Sequence, residues 1–201
     1  MTTQTHRKTR RTRQNTVLCW SALLALPLLS EGLLRVLYDP SGHTFAQRQS
    51  EVYGWLGMAI LLLVLVARPL GLIRQRRLLG LAALVFSGLH TWLAYQAVFD
   101  SDWESILFLS RENQWAIWLG GLALLGMLPM AATSNDWAVR KLGKHWKTLH
   151  RLGPVLTVFA LLHTLWIGVH FGLTSMKWTS VLLIFLSMLV FFKRLRKAKQ
   201  P

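Results

Sequence analysis

Cysteine is almost missing from this chain. Cys19 is the only one in 201 residues, and a lone thiol excludes intrachain disulfides, cysteine-held iron–sulfur clusters, structural zinc on CxxC pairs and CxxCH haem attachment. Acid is scarce too: Asp and Glu total 8 against 23 Lys and Arg, for a formal charge of +15. There is no glycine-rich nucleotide fingerprint, no internal repeat and no low-complexity tract. Polar connections long enough to fold as a soluble domain are also absent. What remains is apolar. Hydrophobic residues make up 53% of the chain, Trp alone counts 10, and they come in long blocks, the composition of an integral membrane protein. The positive charge does not point to nucleic acid, because the basic residues flank the apolar blocks instead of forming a stripe on a folded surface.

Windows of about 20 apolar residues span the ~30 Å hydrocarbon layer. They fall at Thr16 to Tyr38, Val52 to Ile73, Leu78 to Phe99, Trp115 to Thr133, Leu152 to Phe171 and Trp178 to Phe192. The expected fold is all-α: a bundle of six transmembrane helices over residues 16–192, with basic tails at 1–15 and 193–201. The start imitates a secretory signal but lacks a small-residue cleavage site, so it reads as a retained first helix. Six crossings put both termini on one side. Lys and Arg number five in the first tail, four between helices two and three, five between helices four and five, and five in the last tail. The alternate connections carry only Arg48, Arg111 and Lys177. Nineteen against three predicts cytoplasmic termini. Within helix one, Glu31 and Arg35 stand four apart and pair on one face. Pro27, Pro129 and Pro154 lie within or beside helices and bend them.

Two of the seven histidines lie deep in apolar windows, His90 in helix three and His163 in helix five. An imidazole in hydrocarbon needs a partner, a cavity or a cofactor. His90 lies thirteen residues beyond Arg77 and His163 thirteen beyond His150, and helices three and five run the same way. Thirteen helical residues rise ~20 Å, so both imidazoles are expected at one depth. Facing each other across a bundle, they can supply both axial ligands of a b-type haem, a six-coordinate site that moves electrons. The competing classes are a small transporter or proton channel, with the histidines relaying protons, and a cofactor-free scaffold in which they bond carbonyls on neighbouring helices.

Ser87 and Gly88 permit close approach beside such a haem, and Trp92, Tyr95, Phe159 and Trp166 are candidate walls. His150 is a candidate ligand for a second haem nearer the cytoplasmic face. On one continuous ideal helix, however, thirteen steps of about 100° turn it away from His163. His6 in the tail, His43 in an outer loop, and His145 and His170 near the interfaces carry no assigned role. The segment RKLGKHWKTLHR together with RQRR makes a cationic inner face able to take a flavin phosphate or a quinone headgroup, with Trp146 to stack on a ring.

The stretches RRLLGLAALVFSGLHTWLAY and TSNDWAVRKLGKHWKTLHRLGPVLTVFALLHTLW resemble the MsrQ (YedZ) family within the ferric reductase-like transmembrane domains. The likeness runs from about Arg68 to Trp166. It implies a haem b protein of the bacterial inner membrane, passing electrons from quinone or a cytosolic flavin reductase to a periplasmic molybdopterin-containing methionine sulfoxide reductase of the MsrP type. Catalysis is then expected on that partner, with membrane lipid around the bundle and no nucleic acid. By motif, His90 and His163 match the family's principal haem ligands and His150 its third histidine. Arg76 and Arg77 match the arginine pair before helix three, and FMN is a further implied cofactor. The chain departs from the family before helices two and four, where it reads SEVYGWLG and RENQW. A divergent ferric reductase-like cytochrome with another acceptor is the alternative within the same class.

Overall fold

The structure is a computed structural model that describes residues 2–170 and 181, with side chains from 16 to 167 and at 181. Among the described residues every regular element is helical: α1 (Thr2–Leu37), α2 (His43–Val66), α3 (Arg76–Ala97), a 3-10 turn (Glu104–Phe108), α4 (Arg111–Ala132), α5 (Asp136–Leu142), α6 (Lys144–His150) and α7 (Gly153–His170). Four stretches are long and apolar enough to cross a membrane, Thr16–Leu37, His43–Val66, Arg76–Ala97 and Arg111–Ala132. They correspond to the first four expected windows, and α7 to the fifth. The sixth window, Trp178 to Phe192, and the tail at 193–201 lie outside the described residues except for Val181.

The boundaries differ from expectation where polar residues are helical or apolar ones are not. The helix of α1 reaches back through the basic tail to Thr2. α2 begins nine residues before Val52 because the polar run there is stitched together. Arg48 pairs with Glu51 one turn on at 2.7 Å, and Gln49 donates to Glu31 of α1 at 2.9 Å. That same Glu31 accepts from Arg35 at 3.0 Å, the pair expected from their spacing. α2 ends at Val66 rather than Ile73. Pro69 disfavours helical backbone just before it, and Gly71 then turns the chain with φ of 72°.

Two antiparallel pairs form the bundle, α2 packed along α3 and α4 along α7, with lighter contacts of α3 with α4, α2 with α7 and α1 with α2. α3 and α7 are not among the closely packed pairs. Ile60, Leu61, Leu79, Ala83, Phe86, Met127 and Leu156 form the buried core, nearer the α5–α6 end than the histidines are. Close approach is built into the pairs, since a Cβ on Gly57 would lie 2.8 Å from Ser87 Oγ and one on Gly126 would lie 2.5 Å from a Leu156 methyl. Outward-facing Val85, Trp118 and Leu125 are 58%, 62% and 62% exposed, a surface suited to acyl chains rather than water.

Candidate functional site

His90 and His163 meet. Their ring centroids lie 6.0 Å apart with the planes inclined by 75°, so the matched depth read from the sequence becomes a facing pair between two helices that do not themselves pack closely. Each ring is held from behind by the antiparallel partner of its own helix. His90 Nδ1 lies 2.8 Å from the Ser50 carbonyl oxygen of α2, and His163 Nδ1 lies 2.8 Å from the Ala116 carbonyl oxygen of α4. A carbonyl can only accept, so Nδ1 must carry the proton in both rings, and the lone pair of each neutral imidazole falls on Nε2.

The sequence builds this support twice in the same way. A helical carbonyl has two lone pairs, and one is committed to the N–H four residues later. The residue at that later position overhangs the carbonyl. Here it is Gly54 after Ser50 and Gly120 after Ala116. A Cβ on Gly54 would lie 2.8 Å from His90 Nδ1, and one on Gly120 would lie 2.7 Å from His163 Nδ1. Glycine therefore uncovers the second lone pair and lets the ring reach it. None of these four residues stands out by chemical type. Their signal is the small-xxx-small spacing, SEVYG and AIWLG, which marks close helix contact in membranes.

The 6.0 Å centroid separation is the one expected of a metal held between two imidazole nitrogens. An imidazole bound through Nε2 at ~2 Å has its ring centre about 3 Å from the metal, so two opposed ligands put their centres about 6 Å apart. The Nδ1–H to carbonyl bond is the usual outer support of a ligating histidine, because it sets the tautomer, orients the ring and raises its basicity. Among the described residues no group of three or more His, Cys, Asp or Glu is placed to hold a bare metal ion. The donor set is thus two imidazoles alone.

The other expected residues lie at the α5–α6 end. His150 is the last residue of α6, not the first turn of the helix that carries His163; Arg151 and Leu152 intervene before α7 begins. The rotation expected from one continuous helix therefore does not apply. Its Nε2 lies 3.3 Å from Thr133 Oγ1, and its ring stacks on Trp146 at 4.1 Å, whose indole N–H donates to the Thr133 carbonyl at 2.9 Å. Burial, and then the positive charges of Arg76 and Arg77, hold the His150 imidazole below its ordinary pKa. Arg77 in turn pairs with Asp136 at 2.5 Å. The structure thus gathers His150, Arg76 and Arg77 into one cationic cluster separate from the His90–His163 pair.

The expected aromatic walls divide. Trp92 is exposed on the outside of α3 and tilts against Tyr95. Tyr95 stacks on Trp103 at 4.3 Å and donates its hydroxyl to the Ser101 carbonyl. These rings brace the turn after α3, where Asp100 and Ser101 take left-handed backbone conformations. Phe159 and Trp166 are on α7, Phe159 partly buried and Trp166 38% exposed. His43 is the first residue of α2 rather than a loop residue, and its Nε2 lies 3.9 Å from Asp100.

Comparison with known proteins finds relatives over much of the same stretch. The chain is similar to the protein-methionine-sulfoxide reductase heme-binding subunit MsrQ of Yersinia enterocolitica, 36% identical over 122 residues, covering 56% of this chain and 60% of the relative. It is 36% identical over 128 residues to the protein of the same name from Bordetella pertussis, covering 61% of each. The MsrQ of Salmonella arizonae is 34% identical over 122 residues, 56% of this chain and 60% of the relative. The matched part thus spans about three-fifths of these relatives. No solved structure matches. The family described as the ferric reductase like transmembrane component matches residues 54–161, more than half of the chain and a span running from Gly54 through His90, Gly120 and His150 almost to His163. The chain belongs to that family.

Proposed function

We propose that the chain is the haem b electron-transfer subunit of a methionine sulfoxide reductase system in the bacterial inner membrane. The observation that carries this reading is the 6.0 Å facing of His90 and His163 with each Nδ1 turned back onto a carbonyl. His90 and His163 would hold the haem, which when bound would supply a one-electron carrier. The chain's residues fix the tautomers of both imidazoles and surround them with apolar helix.

In this reading the bundle has six crossings, with α7 the fifth and residues 178–192 the sixth, and both termini are cytoplasmic. The charge asymmetry of the connections supports that orientation. The α5–α6 end then faces the cytoplasm. There His150, Arg76 and Arg77 receive the electron donor, a quinone headgroup or the flavin of a cytosolic reductase. The cations favour an anionic or phosphate-bearing group, and the stacked Trp146–His150 pair offers a flat surface to a ring. A second haem at His150 and a bound FMN are the finer alternatives for the same cluster. The opposite end delivers electrons to a periplasmic MsrP-type reductase, where the sulfoxide chemistry takes place.

The test is optical. Protein purified in detergent from haem-replete cells is expected to be red, with a Soret band, sharp reduced b-type bands and one haem per chain for the His90–His163 site. A second equivalent of haem would assign His150 to it. A well-folded, colourless preparation overturns the reading. Reoxidation of the reduced protein by a cognate MsrP-type reductase is the expected result for the proposed acceptor, and no reoxidation would point to a different one.

A further inference from the structure

The two halves of the histidine site are alike in backbone and unlike in side chain. Behind His163 stands Ala116, which offers only its carbonyl. Behind His90 stands Ser50, a polar residue 3% exposed in the apolar bundle. Its hydroxyl makes two contacts with the same histidine. Ser50 Oγ donates to the His90 carbonyl at 3.2 Å and lies 3.3 Å from His90 Nδ1, which already donates to the Ser50 carbonyl at 2.8 Å. Because the hydroxyl proton is directed to the His90 carbonyl, an oxygen lone pair is left towards Nδ1–H. The His90 proton is therefore shared between two acceptors and the His163 proton has one. Burying a hydroxyl is unfavourable unless it is bonded, and these bonds to His90 are what satisfies it here.

We propose that Ser50 is a positioning residue that makes His90 the more electron-rich and more tightly held of the two imidazoles, so that the α3 and α7 sides of the site are unlike. This rests on the haem reading above. A second acceptor on Nδ1–H gives the ring more imidazolate character, which strengthens donation from Nε2 and favours the more highly charged, oxidised iron. The hydroxyl's bond to the His90 carbonyl also pins α3 to α2 at the ligand itself. No such cross-helix bond is made by the side chain at 116.

The experiment is a redox titration with low-temperature spectra of the full-length protein and its Ser50→Ala, Ser50→Thr and Ala116→Ser variants. Ser50→Ala keeps the carbonyl of residue 50, so it is expected to retain haem while its midpoint potential moves upward and its low-spin ferric signal shifts. Ser50→Thr restores the hydroxyl and is expected to return the potential towards the wild-type value. Ala116→Ser adds the missing acceptor behind His163 and is expected to lower the potential. Full haem content with an unchanged potential and spectrum in Ser50→Ala overturns the proposal. If that variant does not retain haem, Ala116→Ser decides: a lowered potential supports the proposal and an unchanged one overturns it. A colourless wild-type protein defeats the haem reading itself, a result separate from any difference among red variants.

Discussion

The His90–His163 site and the His150 cluster use the same side chain in opposite ways. At the first, each imidazole is held by a main-chain carbonyl and backed by a glycine with no room to spare. At the second, the imidazole is held by side chains, Thr133 and Trp146, and faced by two cations. The Arg77–Asp136 pair beside it has side chains 46% and 73% exposed. Main-chain support cannot be moved without moving a helix, so the first site suits a permanently bound group that must not reorganise as its charge changes. Side-chain support at an edge adjusts at little cost, which suits a group that arrives and leaves.

The largest effect that would break this contrast is expected at the rings. His90→Ala or His163→Ala removes one of the two proposed donors, so the low-spin b-type spectrum of purified protein should disappear in either variant. His150→Ala should leave that spectrum intact. If His150→Ala abolished it and His163→Ala did not, the assignment of the two sites would be reversed.

Next come the glycines. Gly54→Ala or Gly120→Ala puts a methyl within 2.8 or 2.7 Å of Nδ1, so the ring must withdraw from its carbonyl. Loss of that support is expected to weaken haem retention about 10–100-fold, measured as haem per chain after dilution into apomyoglobin. Gly80→Ala is the matched comparison, because a Cβ there meets nothing within 4 Å. It should retain haem fully and stiffen α3, since glycine is unfavourable inside a helix by roughly 1 kcal/mol.

These glycines also mark the limit of what was legible. The four long spans, the shared depth of His90 and His163, and the Glu31–Arg35 pair follow from composition and period alone, because each depends on local rise and length. The carbonyl supports do not. Ser50 lies 40 residues from His90 and Ala116 lies 47 from His163, and a backbone acceptor leaves no trace in residue type. The independence of α6 from α7 was hidden for a related reason. KTLHRLGPVL has helical composition throughout, and only Gly153 and Pro154 hint that one helix ends and another begins. The cationic RQRR and RKLGKHWK segments read as topology signals, which concealed that Arg77 meets Asp136 across the bundle end.

A moderate effect is expected at the cluster. Thr133→Val removes the hydroxyl beside His150 Nε2 while keeping the side-chain volume. One neutral hydrogen bond contributes ~1 kcal/mol, about a five-fold change in an equilibrium. Reduction of the haem by quinol or by a flavin reductase should therefore weaken by about that factor, with no change in the haem spectrum. A changed spectrum would show that His150 is coupled to the haem more directly than its position in α6 suggests.

The smallest effect is expected at Asp136. The Arg77 guanidinium hydrogen-bonded to it, with further help from its charge and that of Arg140, holds this carboxyl below the usual carboxylate range. A carboxylate whose pKa is lowered by folding adds stability above its unfolded pKa of about 3.9, and that increment is lost as the pH falls through the lowered value. The pair is exposed, so water screens most of it. Asp136→Asn should therefore melt only slightly below wild type at pH 7, and the difference should vanish in acid once the wild-type carboxyl is itself protonated. Thermal melts in detergent at both pH values check this. A large deficit at pH 7 that persisted in acid would mean that Asp136 supports the α5–α6 end through its place in the first turn of α5 rather than through its charge, and the cluster would then be as firmly built as the histidine site.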